Sequence, residues 1–137
     1  MTSVAPAGRR PRLMVADDDP VVQSMLSVSL SSAFDVVGVA GDSDEAIELA
    51  KVSQPDAAVV DVEMPKGGGL RAVRGIVEVA PGTAIVVLSG DESDKVVREL
   101  MQAGAIAYRR KGLGSAELSE SLTESIQVHA DERLNPV

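Results

Sequence analysis

Short apolar runs alternate along the chain with longer stretches in which apolar residues return every three to four positions. The runs lie at 13–16, 34–39, 56–61, 83–88 and 106–109. Each is the length of a strand, and the first and third read as buried strands. The stretches between them read as helices. Pro20 suits a first helical turn with Asp19 as its cap, and Val22, Met25, Leu26 and Leu30 follow at helical spacing. Ser24, Ser27 and Ser29 weaken this segment's propensity, so packing must hold it. Asp42 and Glu45 form a capping-box pattern ahead of Ile47, Leu49, Ala50 and Val52, and Pro55 stops the helix. Three more helices are predicted at 70–79, 92–103 (ended by Gly104) and 115–128, the last with Leu118, Leu122 and Ile126 on one face.

Five strands alternating with five helices imply an α/β fold, a parallel sheet with helices on both faces. In such a sheet the ligand site lies beyond the carboxyl ends of the strands. Those ends carry polar groups. The first run leads into Asp17, Asp18 and Asp19, the third ends on Asp61, the fourth meets Ser89, and Lys111 follows the fifth. Parallel neighbours would gather these groups at one edge. A set of carboxylates, a hydroxyl and an ammonium suits a hard divalent cation and a phosphoryl group.

Each feature has a plainer explanation. Asp17 to Asp19 before Pro20 could cap a helix, but capping needs one acid, and three adjacent carboxylates repel unless something positive binds. An EF-hand loop is excluded because the acids are not at alternate positions. Asp61 closes a buried strand, where desolvation opposes an unpartnered charge. Ser89 and Lys111 are weak signals singly and specific together. Gly67, Gly68 and Gly69 lack the Gly-Lys-Ser/Thr of a phosphate loop and read as a flexible connection, 64–69.

Composition narrows the picture. The 137 residues suit one domain, and 45% apolar content suffices for one core. Phe34 and Tyr108 are the only aromatic residues, so the core must be aliphatic. Without Cys, disulfides and thiolate metal sites are excluded, and a lone His129 excludes multi-His zinc chemistry. A net charge of −8 argues against direct nucleic-acid binding. No stretch has the roughly 20 apolar residues of a membrane span, and the basic N-terminus lacks the apolar segment of a secretory signal. These readings predict a cytoplasmic protein with a disordered leader at 1–11, a folded domain at 12–128, and a polar, frayed tail or linker start at 129–137.

The acidic pair Asp17-Asp18, Asp61 followed by Met64-Pro65, Ser89, Tyr108 and Lys111 together resemble the receiver domain of two-component response regulators. The likeness covers about residues 12–128. The stretches Pro55-Asp56, Pro81-Gly82-Thr83, Ala103-Gly104-Ala105 and Lys111-Gly112 are most similar to the NarL/LuxR-type branch, which usually carries a helix-turn-helix domain downstream. The chain departs from the family pattern at Gly112, where proline is commoner, at Gly68, where aspartate is usual, and at Arg109 and Arg110, which replace apolar residues.

The resemblance implies a flavodoxin-like sheet of order 2-1-3-4-5. It implies Mg²⁺ held by Asp17, Asp18, Asp61 and the Glu63 carbonyl. It also implies phosphorylation of Asp61 by a sensor histidine kinase, with Lys111 and Ser89 contacting the phosphoryl oxygens. Ser89 and Tyr108 would act as the switch, changing the surface of the fourth helix, fifth strand and fifth helix. Glu63 and Asp91 are expected to modulate the rate of phosphoryl loss. Such a protein is no conventional enzyme, since it catalyses only its own phosphorylation and dephosphorylation. Its output would pass to an effector domain in cis, to a partner in trans, or through a homodimer, with transcription as one target. The alternative readings are a phosphorylation-independent interaction module of the same fold and a haloacid-dehalogenase-type phosphatase. The latter wants Asp-x-Asp, which Asp61-Val62-Glu63 imitates only loosely.

Overall fold

A computed structural model describes residues 9–90 and 93–134. The elements alternate throughout: β1 (Arg12–Ala16), α1 (Pro20–Leu30), β2 (Asp35–Ala40), α2 (Ser43–Ser53), β3 (Ala57–Asp61), α3 (Gly68–Val79), β4 (Ala84–Ser89), α4 (Asp94–Ala103), β5 (Ala107–Arg110) and α5 (Ser115–Leu134). The strands form one parallel sheet in the order β2-β1-β3-β4-β5. The alternation of strand and helix predicts this architecture, because parallel strands need a crossover between them.

The period-two alternation of the strands divides the core into two layers. Met14, Ala16, Ala58, Val60, Ile85 and Val87 face one side, where they pack with Ala46, Ala72, Val73, Ile76 and Leu100 from α2, α3 and α4. Leu13, Val15, Val59 and Val86 face the other, against Leu30, Phe34, Leu118, Leu122 and Ile126. Helices α1 and α5 therefore cover one face and α2, α3 and α4 the other. The sheet is buried on both sides, which is why β1, β3 and β4 read as unbroken apolar runs.

Helix starts follow local chemistry. Asp19 Oδ1 accepts the Val21 N–H at 2.9 Å and Pro20 fills the first turn of α1. Asp42 caps α2 by accepting the Glu45 N–H at 2.8 Å. The return bond of the box reaches one residue further than its pattern implies: Glu45 Oε1 accepts from the Gly41 N–H at 2.7 Å. Ser93 caps α4, and Glu92, the expected start of that helix, lies outside the described residues.

Strands β1 to β4 lie within one residue of expectation at each end, and three other elements differ as follows. Helix α3 opens at Gly68, two residues early, because Gly69 is packed tightly against β3 and its N–H donates to the Val62 carbonyl at 2.7 Å. Strand β5 is one residue later than expected and includes Arg110 at the sheet edge. Helix α5 continues to Leu134 instead of giving way to a frayed segment after Val128. Ala130 is buried one turn beyond Ile126, His129 Nε2 lies 2.8 Å from the Pro81 carbonyl, and Gln127 donates to Asp131 one turn on. Of the expected leader, residues 1–8 lie outside the described residues, and of the expected tail, 135–137 do. No helix among the described residues is long and apolar enough to cross a membrane.

Candidate functional site

The register of the sheet sets the site. Ala16 pairs with Val60, so the next residues, Asp17 and Asp61, emerge side by side from β1 and β3. Asp61 pairs with Leu88 on β4, one residue before Ser89, and Ser89 pairs with Arg110 on β5, one residue before Lys111. The Lys111 N–H continues the ladder by donating to the Ser89 carbonyl at 2.8 Å. Four strand ends thus bring together side chains separated by up to about a hundred residues of chain.

Asp61 is buried, with 1% of its surface exposed, yet both its oxygens are held. Oδ2 accepts from Lys111 Nζ at 2.9 Å, and Oδ1 accepts from the Glu63 N–H at 3.2 Å. The Lys111 side chain remains 39% exposed, so its charge reaches the pocket from the rim. Asp17 is equally buried. Its Oδ1 accepts from the Asp19 N–H at 2.9 Å, and its Oδ2 has no hydrogen-bond partner among the described residues. A buried carboxylate oxygen without a donor is costly in water-free surroundings. Asp18 is exposed, and ligand oxygens of Asp17, Asp18 and Asp61 all lie within 4.8 Å of one another.

The electrostatics follow from that crowding. Burial pushes the Asp17 carboxyl above its ordinary value, the negative charges of Asp61 and Asp18 push the same way, and the Asp19 N–H and Lys111 only partly oppose them. Burial alone would lower the Lys111 ammonium. The bond and charge of Asp61, with Asp17 and Glu63 beyond it, outweigh that and raise it. Three carboxylates face one ammonium, which leaves the pocket short of positive charge. With hard oxygen donors and an unsatisfied Asp17 Oδ2, the residues present fit a small divalent cation.

The other residues singled out in the sequence, the expected cap Asp19 and the two arginines of β5 among them, are placed as follows. Asp19 serves α1 as a cap and is not in the cluster. Ser89 is fully buried at the end of β4. Tyr108 is half-buried on β5 and packs against the core layer under α3 and α4. The Glu63 backbone touches Asp61, while Glu63 as a whole is exposed. Asp91 lies outside the described residues. Arg109 and Arg110 use guanidinium N–H groups on the Tyr108 and Gly90 carbonyls, at 2.8 and 3.1 Å.

The acidic turn also has a support that the sequence does not signal. Gln23 Nε2 donates to the Asp17 carbonyl at 2.6 Å and tethers the acidic turn to α1. Nothing in a lone glutamine on a helix signals that role.

The chain as a whole has clear relatives. The model of the response regulator receiver domain matches residues 13–123. The chain is 34% identical over 124 residues to the response regulator GacA of Pseudomonas aeruginosa, covering 89% of this chain and 56% of that protein. It is 34% identical over 120 residues to the transcriptional regulatory protein PdtaR of Mycobacterium tuberculosis, covering 85% of this chain and 57% of that one. Among solved structures, a two-component response regulator of the LuxR family from Aurantimonas sp. SI85-9A1 superposes with a TM-score of 0.76 at 27% identity, covering 91% of this chain and 99% of that one. The chain spans about half the length of the curated relatives it matches. With the expected strand order in place and the family model spanning most of its length, the chain belongs to the response regulator receiver domain family of two-component systems.

Proposed function

We propose that this domain accepts a phosphoryl group on Asp61 from a histidine kinase, in a reaction that requires Mg²⁺. The observation that carries this reading is the contact of Lys111 with Asp61 at 2.9 Å, inside a three-carboxylate cluster whose Asp17 Oδ2 lacks a hydrogen-bond partner among the described residues. Asp17, Asp18 and Asp61, with the backbone carbonyl of Glu63, are the residues that would hold the ion. Bound there, a divalent cation offsets the repulsion between a carboxylate and an anionic phosphoryl group.

The chain's own residues supply the rest. An Asp61 carboxylate oxygen attacks phosphorus, the bond from phosphorus to the donor's leaving group breaks, and an acyl phosphate results. Lys111 then moves its charge from the carboxylate to a phosphoryl oxygen. The Ser89 hydroxyl donates to another phosphoryl oxygen, and the Tyr108 ring follows it inward. The surface of α4, β5 and α5 changes with them, a local charge event biasing a two-state element. Attack by water returns Asp61 and releases inorganic phosphate, with Glu63 and Asp91 flanking its route and setting the lifetime.

On this reading 12–128 is the receiver unit and the protein works in the cytoplasm. Its output passes to an effector in cis, of the helix-turn-helix type usual in the similar branch, or to a partner in trans. The test is labelling by acetyl phosphate in Mg²⁺, followed by intact-protein mass. The wild type gains one phosphoryl group, and Asp61→Asn or added chelator abolishes the gain. Undiminished labelling of Asp61→Asn overturns the assignment. No labelling of the wild type favours the phosphorylation-independent interaction module.

A further inference from the structure

The connection from β3 to α3 follows directly on Asp61 and carries Glu63. From its end into the first residue of α3 the backbone takes the left-handed region three times in succession, with φ of +65° at Lys66, +108° at Gly67 and +74° at Gly68. Glycine adopts this region readily but holds it weakly, because the unfolded alternatives are many. Left to itself, such a loop would sample many conformations.

The first turn of α2 grips it from outside. Ser43 is fully buried and bonds both sides of the loop: its N–H donates to the Pro65 carbonyl at 3.2 Å, and its hydroxyl donates to the Gly68 carbonyl at 2.7 Å. These two bonds straddle Lys66 and Gly67. The tip is tied by charge. Lys66 Nζ lies 3.7 Å from Asp42 and 3.8 Å from Asp44. Arg71, in the first turn of α3, pairs with Asp44 at 2.6 Å and donates to the Lys66 carbonyl at 2.8 Å. The Arg71 bond holds the Asp44 carboxyl below its ordinary range. None of these residues touches the acidic pocket. They fix the segment whose first residues do, through the Glu63 N–H on Asp61 and the buried Met64 beside it.

We propose that Ser43, supported by the Asp44–Arg71 pair, is a positioning residue that holds the Glu63 segment against Asp61 and so sets the divalent-cation affinity of the acidic pocket. The proposal rests on the reading of that pocket as a Mg²⁺ site. A small cation that demands near-ideal geometry binds best where its oxygens are already in place. When the brace is cut, the loop must be ordered at the expense of binding.

The test uses the full chain with Ser43→Ala and, separately, the surface double variant Asp44→Ala/Arg71→Ala. Three quantities are read: the Mg²⁺ dissociation constant by calorimetry, the melting temperature with and without saturating Mg²⁺, and metal-free amide exchange at residues 66–69. Ser43→Ala should weaken Mg²⁺ binding roughly threefold to tenfold, at or below the lower end of what outer-shell partners of metal ligands usually contribute. The double variant should weaken it about twofold, as expected of exposed ion pairs. Exchange at Gly69 should quicken in both. A merely structural contact would lower the melting temperature equally with and without Mg²⁺ and leave the dissociation constant unchanged, and that result overturns the proposal. If Ser43→Ala does not fold, an unchanged dissociation constant in the double variant overturns it equally. The failures are separable. A wild type that binds no Mg²⁺ sinks the reading of the pocket, whereas a wild type that binds it, with variants that bind it as well, sinks only the brace.

Discussion

Lys111 Nζ lies 2.9 Å from Asp61 Oδ2, across 50 residues of sequence, and is the only basic side chain ion-paired with the acidic pocket among the described residues. The contact joins the edge of the sheet to its centre. It is also incomplete compensation, since Asp17 and Asp18 add two further carboxylates.

Replacing that lysine should therefore be felt before any phosphoryl group arrives. Lys111→Met leaves the buried Asp61 charge with only the Glu63 N–H among the described residues. Removing a partner from a buried pair costs several kcal/mol, and the half-exposed ammonium lowers the expectation to about 1–2 kcal/mol of metal-free stability. Saturating Mg²⁺ should recover part of the loss. Urea unfolding with and without Mg²⁺ measures both. Because the Lys111 pKa is raised, its contribution is fully present below the ordinary value of 10.5 and is lost only as pH rises through the higher folded value. The difference between wild type and Lys111→Met should accordingly stay flat across neutral pH.

Asp17 should behave in the opposite way. Its carboxyl is raised above the ordinary 3.8, mainly by burial, so ionising it opposes folding. Asp17→Asn keeps an oxygen for the Asp19 N–H and removes the charge. It should stabilise the metal-free protein at neutral pH and abolish stabilisation by Mg²⁺. The folded state binds the Asp17 proton more tightly than the unfolded state does. The stability held by protonated Asp17 is therefore present below pH 3.8 and lost as pH rises through the folded pKa. Thermal melts from pH 7 down to 4 should show the advantage of Asp17→Asn shrinking as wild-type Asp17 takes up its proton. An advantage independent of pH would assign the effect to packing instead.

Gly69 supports the same pocket by being small. A Cβ there would lie 2.7 Å from Val62 Cα and 2.9 Å from the Asp61 carbonyl, both backbone atoms that cannot step aside. Gly69→Ala should destabilise the domain by about 1–3 kcal/mol, the usual range for overpacking. Denaturant midpoints measure it. A neutral result would show that the start of α3 can move away from β3.

The acyl phosphate's lifetime offers a further check. Glu63 is exposed beside Asp61, two residues along the chain. Glu63→Ala should change the rate of phosphate release severalfold without altering the extent of labelling at saturating donor, as expected of a group that assists or obstructs water. The decay of label after donor removal gives the answer, and an unchanged rate removes Glu63 from that role.

The sequence carried the sheet because double-sided burial writes itself as unbroken apolar runs such as 57–60. It carried the pocket because the same runs ended on Asp17, Asp61, Ser89 and Lys111. It failed where local pattern and tertiary contact disagree. Gly68 and Gly69 read as loop, yet they open α3 because the close approach to Val62 requires a missing side chain. The segment after Val128 reads as solvent-exposed tail, yet Ala130 and His129 dock it on the body of the domain. Gln23 acts on the carbonyl of Asp17, 6 residues back, and Ser43 on that of Gly68, 25 residues on, and only the folded geometry reveals such tethers.

The central claim is that position 61 carries the phosphoryl group. Borohydride reduces an aspartyl phosphate to homoserine, so treatment of the Mg²⁺- and acetyl phosphate-incubated protein, followed by peptide mapping, reads the modified residue directly. The account predicts homoserine at position 61 alone, dependent on Mg²⁺ and absent without donor. Homoserine at Asp17 or Asp18, or at no position in a protein that has taken up label, would contradict it.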